Sequence, residues 1–189
     1  MVKHIGTQVV KTDRLILRRY QLLDAQDMFL NWVTDAEVSR FWGWSPHRDM
    51  EETQSLLRGW IEQYNTPSVY HWIIVHKGND QAIGYIYLNS IDEKQECAAV
   101  HYLISRKYWN QGIATEACKA IIGYAFSQIG LKNINAYHHR ENPASGRVMQ
   151  KTGMHFVKEE YRLFPKGEES LNGRYCYYTV NASNWCHTE

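Results

Sequence analysis

Three strand-like runs in close succession, followed by the most regular helix of the chain and then another strand, leave few folds open. The runs are Tyr70–His76, 82–90 and 97–105. Lys77-Gly78-Asn79-Asp80 is a turn signal between the first two, and the polar Asp92-Glu93-Lys94-Gln95-Glu96 separates the second from the third. Local logic therefore gives an antiparallel meander. Ala114, Cys118, Ile121, Ala125 and Ile129 then recur at three- and four-residue steps, the pattern of a helix buried on one face. Gly130 stands where a left-handed helix terminus belongs. Asn133–His139 reads as a strand, 142–152 as a short helix closed by Gly153, and 155–164 and 174–180 as two last strands. A meander continued by strand, helix and strand predicts an α+β or α/β sheet protein with parallel pairing in its second half.

Ahead of the meander, residues 12–20 read as a strand, and Asp24 opens an amphipathic helix carrying Ala25, Met28, Phe29 and Trp32. Asp49 followed by Glu52 is a helix-start signature, with Leu56, Leu57, Trp60, Ile61 and Tyr64 as the apolar face. No repeat or linker interrupts the 189 residues, so one domain over 1–189 is expected.

Charge narrows the function classes. Lys plus Arg number 21 against 20 for Asp plus Glu, a balance that argues against nucleic-acid binding through a broad basic surface. The apolar stretches 72–75 and 82–88 are far too short to span a membrane, and the first residues carry no secretory pattern. Cysteines 97, 118, 176 and 186 include no C-x-x-C pair, so buried thiols in a reducing cytoplasm are the expectation, with no metal site.

Two segments carry the candidate chemistry. Tyr108-Trp109-Asn110-Gln111-Gly112-Ile113-Ala114-Thr115-Glu116-Ala117 follows a strand and opens the best helix. A helix start has unpaired N–H groups and partial positive charge, so it can hold a pyrophosphate without a basic side chain. The segment is neither G-x-G-x-x-G nor a P-loop, and taken alone it is also an ordinary strand-to-helix turn. Asn142-Pro143-Ala144-Ser145, with Lys151-Thr152-Gly153-Met154, is by itself a capped short helix.

Together, in this order and with Thr12-Asp13-Arg14-Leu15-Ile16-Leu17-Arg18 before them, they make the chain resemble the GNAT superfamily of acyl-CoA-dependent N-acyltransferases. Within it the chain looks like the RimJ/RimL-type ribosomal-protein N-terminal acetyltransferases, and Asn172-Gly173-Arg174-Tyr175 also fits that branch. The resemblance implies a mixed, mostly antiparallel sheet of about seven strands, splayed in its middle and flanked by about four helices. It implies acetyl-CoA in the split, its pantetheine arm on the backbone of Leu103, Ile104 and Ser105. The pyrophosphate would lie on the amides of Gln111, Gly112, Ile113, Ala114 and Thr115. Asn142 would hold the cosubstrate near its reactive end, and Ser145 would lie beside the thioester sulfur. Monomer and homodimer are both compatible with the resemblance.

Three positions depart from the family pattern. Trp109 replaces the usual Arg, as the RimJ/RimL branch often does. Met149 stands where many members carry a proton-donating Tyr, which moves the general acid to Ser145 or a water it holds. Ala99-Val100-His101-Tyr102 replaces a run that normally includes a carboxylate base and a Gly. His101, His138, Glu141 and His47 are the candidate bases, His101 first because its strand should flank the thioester. His101 equally suits the role of filling space that Gly leaves open.

Seven Trp and thirteen Tyr are the one compositional excess, and several aromatics cluster in Phe41-Trp42-Gly43-Trp44-Ser45-Pro46-His47. In the resembled branch that segment lines the acceptor side. Trp44 and His47 are expected to contact substrate, and Trp42 either does so or folds back on the core; His138 is a further candidate. A site without a strong base suits an α-amine better than a lysine, whose amine costs roughly 3 kcal/mol more to neutralise. The expected reaction is direct acetyl transfer to a primary amine, most of all a protein or peptide N-terminus. A small-molecule amine acceptor and a non-catalytic acyl-CoA-binding module are the alternatives.

Overall fold

The computed structural model describes residues 1–164 and 171–185. The strands, in chain order, are β1 (Val10–Lys11), β2 (Leu15–Arg18), β3 (Tyr70–His76), β4 (Gln81–Asp92), β5 (Cys97–Ile104), β6 (Asn133–His139), β7 (His155–Arg162) and β8 (Gly173–Asn181). They form one open sheet in the order β1-β2-β3-β4-β5-β6-β8-β7. Every pair is antiparallel except β5–β6. The expected meander is β3–β4–β5, and the parallel pair is the one joined through the long helix. Eight strands rather than about seven are found among the described residues because the short β1, ahead of the predicted 12–20 run, pairs with β2 as a strand of its own.

The helices are α1 (Asp24–Met28), α2 (Ala36–Ser39), α3 (Met50–Glu62), α4 (Ile113–Tyr124) and α5 (Pro143–Lys151). The one-turn α2 is the addition to the four expected. Asp49 caps α3 by accepting from the Glu52 N–H, and the Glu52 carboxylate returns to the Arg48 N–H at 3.0 Å. Asp24 lies inside α1 rather than capping it. Its buried carboxylate is held by the Arg18 guanidinium at 2.6 and 2.8 Å, which ties α1 to β2. Gly130 takes the left-handed conformation (φ 82°) that ends the helical run after α4.

The sheet separates two cores. Leu17, Trp72, Ile74, Ile86 and Val100 meet α4 and α5 through Cys118, Ile121, Ile122 and Met149. On the opposite face Met28, Trp32 and Leu57 of the N-terminal helices cover Ile73, Val75, Tyr85 and Leu103. Cys97, Cys118 and Cys176 are free thiols, while Cys186 lies outside the described residues. No helix among the described residues is long and apolar enough to cross a membrane.

Candidate active site

β5 and β6 pair over one turn of ladder only, Cys97–Ala99 against Asn133, Ile134 and Asn135. Beyond Ala99, β5 stays with β4 up to Ile104, while β6 stays with β8 until His139 faces Tyr175. Each strand keeps one partner and loses the other, so the sheet opens between them. The Ser105 N–H donates to the Ile83 carbonyl at 2.7 Å, which fixes the phase of the β4–β5 ladder. Hydrogen-bonded pairs alternate along such a ladder, so Leu103 and Ser105 turn their backbone groups to β4. The Leu103 carbonyl lies so close to Gly84 that a side chain there would collide with it. The backbone groups of Tyr102 and Ile104 consequently face the split, and the Ile104 carbonyl already accepts from the Trp109 indole at 2.7 Å. The expected pantetheine contacts at Leu103 and Ser105 are thus not brought to the opening, and the face is supplied by Tyr102 and Ile104 instead.

At the end of β5 the chain turns through Asn110 (φ 60°) and Gly112 (φ 77°) into α4. The first bond within α4 runs from the Glu116 N–H to the Gly112 carbonyl, at 3.0 Å. The amides of Ile113, Ala114 and Thr115 precede it and have no helical carbonyl to meet. A Cβ on Gly112 would meet only the Arg14 guanidinium, at 3.5 Å, so the loop is open above these amides. Space, left-handed backbone and unpaired N–H groups suit a phosphate group. Arg14 braces the turn: its guanidinium donates to the Gln111 carbonyl at 2.9 Å and to Glu116 at 2.7 Å. Thr12 donates its hydroxyl to the same carboxylate at 2.6 Å.

Asn142 caps α5, accepting from the Ser145 N–H at 3.3 Å, with Pro143 at the first helical position. The Ser145 hydroxyl lies 3.0 Å from the Tyr102 hydroxyl, which donates to the Ser145 carbonyl at 2.9 Å. Burial keeps the Tyr102 phenol protonated far above neutral pH. Met149 is 2% exposed and belongs to the core, which removes it from proton transfer.

On the other face His71 of β3, Tyr87 of β4 and His101 of β5 stand opposite one another in register. The His101 ring stacks on Tyr87 at 4.9 Å and meets the edge of Tyr137 on β6 at 5.2 Å, so two rings bridge the split. Its Nε2 lies 3.1 Å from the Asn89 side-chain oxygen. Burial, with the Arg162 charge behind it, pushes His101 down to about 4. Arg162 itself lies over the Tyr137 ring at 4.9 Å and has no carboxylate ion pair among the described residues. Next to this row lies a cavity of about 760 Å³ whose walls include Trp42, Trp44, His47, Trp60, His71, Tyr85 and Tyr87.

The chain matches the family model described as an acetyltransferase (GNAT) domain over residues 14–155. It is 31% identical over 151 residues to the N-acetyltransferase YoaA of Bacillus subtilis, covering 80% of this chain and 84% of that one. The chain belongs to the GNAT acetyltransferase family. It is an acetyl-CoA-dependent N-acetyltransferase by that membership. YdaF of B. subtilis, provisionally named a ribosomal N-acetyltransferase, is 24% identical over 132 residues, 70% of each chain. A solved structure of spermidine N-acetyltransferase from Vibrio cholerae, in complex with CoA and spermine, superposes with a TM-score of 0.74 at 16% identity. It covers 92% of this chain and 98% of that one.

In this acetyltransferase, Trp42, Trp44 and His47 come together in one cavity, and His101 lies behind its Tyr87 wall, stacked on that ring. His47 is fixed by Thr53 at 2.8 Å, and burial lowers its pKa. His138 is not brought there. It lies on the opposite face, 8% exposed, against Gly146 of α5, with Nδ1 2.8 Å from the His139 carbonyl. Glu141 is exposed and pairs with Arg40 at 3.7 Å. Sequence reasoning missed Tyr102, Arg162 and His71. Their alternation along strands was legible, but the face each would occupy depends on pairing with distant strands.

Proposed function

We propose that this acetyltransferase acts on an α-amino group, in the manner of the RimJ/RimL branch. The observation that carries the reading is the acceptor face, where the base nearest the split is a histidine held at about 4. Such a group is a poor proton acceptor, so the amine must arrive neutral. At pH 7 that costs about 1 kcal/mol for an α-amine and about 4.6 kcal/mol for a lysine amine. The difference corresponds to about 400-fold in the population of attacking amine.

Acetyl-CoA supplies the acyl group as a thioester. Its proposed contacts are the amides of Gln111, Gly112, Ile113, Ala114 and Thr115 for the pyrophosphate, and Ile104, Asn142 and Ser145 further along. The N–H groups of Tyr102 and Ile104 are the proposed donors to the oxygen that carries charge in the split. Ser145 is the proposed proton donor, and the Tyr102 phenol, kept protonated, holds its hydroxyl in place. Trp42, Trp44 and His47 are the proposed acceptor contacts. The chain is proposed to work as one domain in the cytoplasm; the single sheet from Val10 to Asn181 and three free thiols are in keeping with that.

Calorimetric titration with acetyl-CoA, for wild type and Gly112→Asp, tests the cosubstrate site, and initial rates on peptide α-amines and Nα-blocked lysine test the acceptor. Binding at least tenfold weaker in the variant and faster turnover of α-amines at pH 7 are expected. Equal binding refutes the loop assignment; lysine turned over as fast refutes the α-amine reading.

A further inference from the structure

The walls of the cavity beside His101 carry more recognition than acetyl transfer needs. Trp42, Trp44, Trp60, His71, Tyr85 and Tyr87 are among the rings that line it. They brace one another: Trp60 lies 4.6 Å from His71, Trp42 5.4 Å from Tyr85, and His71 5.1 Å from Tyr87. The polar groups among them are neutral. Burial holds His71 at about 3 and keeps the Tyr85 phenol protonated. Among the described residues the one carboxylate in the lining is Glu93, 69% exposed and facing His4 at 3.1 Å. A polycation entering the cavity would meet ring faces but no buried carboxylate to offset the hydration lost by each of its charges, whereas a flat apolar group gains both burial and ring contacts. The volume, about 760 Å³, lies within the range of small-ligand sites. Tyr87, one of its walls, stacks on His101 with an interplanar angle of 17°, so one ring separates the cavity from the histidine beside the split.

We propose that this cavity receives the side chain next to the reacting amine, and that the preferred acceptor is an α-amine borne by an aromatic residue. The proposal rests on the α-amine reading and adds what the acceptor carries. Trp44 is the wall contributed by the loop before α3, and its ring is braced edge-on by His47 at 5.9 Å. It is a specificity residue in this scheme, contributing to the fit of the side chain rather than to proton movement.

The test measures CoA release from acetyl-CoA by the full chain with Phe-Ala-Ala, Ala-Ala-Ala, Nα-acetyl-lysinamide and spermidine. In parallel, tryptophan fluorescence reports the binding of Nα-acetylphenylalaninamide and Nα-acetylalaninamide, a readout independent of turnover. The expected result is a kcat/KM at least tenfold higher for Phe-Ala-Ala than for Ala-Ala-Ala, expressed mainly in KM. Nα-acetylphenylalaninamide should bind at least tenfold tighter than its alanine counterpart. Trp44→Ala should cut the Phe-to-Ala ratio at least fivefold. Both tripeptides turned over equally, or both amides bound equally, overturns the cavity assignment and leaves the α-amine reading standing. Turnover of spermidine or the lysine derivative with neither tripeptide accepted overturns the α-amine reading and this inference together.

Discussion

His71 sits in β3 with its ring among Trp60, Tyr85 and Tyr87 and its Nε2 3.0 Å from the buried Tyr20 hydroxyl. Its backbone is also committed, the N–H to Thr7 and the carbonyl to Tyr64. Burial pushes the side chain down to about 3, from the ordinary value of 6.5 that the unfolded chain retains. At pH 4.5 the unfolded chain therefore binds a proton at this position that the folded protein refuses. Stability rises with pH wherever the unfolded state binds more protons. The contribution of His71 is thus intact above about pH 6.5 and is lost progressively as the pH falls toward about 3. Two pH units below the unfolded value, at about 1.36 kcal/mol per unit, amount to about 2.5 kcal/mol between pH 7 and pH 4.5. His71→Gln keeps an acceptor for Tyr20 and removes the titration. Urea unfolding of both proteins at pH 7 and 4.5 should show the variant losing about 2.5 kcal/mol less than wild type on acidification, whatever its stability at pH 7. Equal losses, within about 0.5 kcal/mol, would refute the neutral, buried histidine.

Two further outcomes are expected. Glu116, half-buried, gains no advantage from burial, yet its pKa falls because Thr12 and Arg14 hydrogen-bond the carboxylate. Glu116→Gln should cost about 2 kcal/mol at pH 7 by urea unfolding, since bonds to a charged group are the stronger kind; a loss under about 0.5 kcal/mol would mean the clasp on α4 is idle. Arg162→Gln removes the cation that, after burial, helps depress His101. The His101 imidazole should then titrate above about 4 in an NMR pH series, and an unchanged or lower value would remove Arg162 from the electrostatics of the split.

Features built from neighbours in the chain were legible before any fold was known. The Asp49 cap, the Asn142 cap with Pro143, and the left-handed glycine at 130 depend on bonds within a few residues. The meander was equally local, because its turns declare themselves in Lys77-Gly78-Asn79-Asp80 and in 92–96. Features built from distant pairs were not. Arg14 and Glu116 are 102 positions apart, and nothing in either segment announces the other. Leu103 was expected to face the cosubstrate, but whether a residue turns its amide to β4 or to the split is a matter of ladder phase. That phase is set where Ser105 meets Ile83.

The histidines show the division most plainly. Alternation along a strand alone dictates that His138 and His139 point to opposite faces, and they do: one packs on Gly146, the other on Gly173. Which of the two faces is the acceptor side is not a property of the strand. It follows from the pairing of β6 with β8, which sets Tyr137 against Tyr177 and sends His138 beneath α5. In the same way the sequence determined by itself that β3, β4 and β5 exist and that each carries alternating rings. Only the register of three strands aligned His71, Tyr87 and His101 into one row reaching Tyr137 across the split. Hydrogen bonds a few residues apart write caps and turns into the sequence, whereas the row beside the split is decided by which distant strands share a ladder and in what phase.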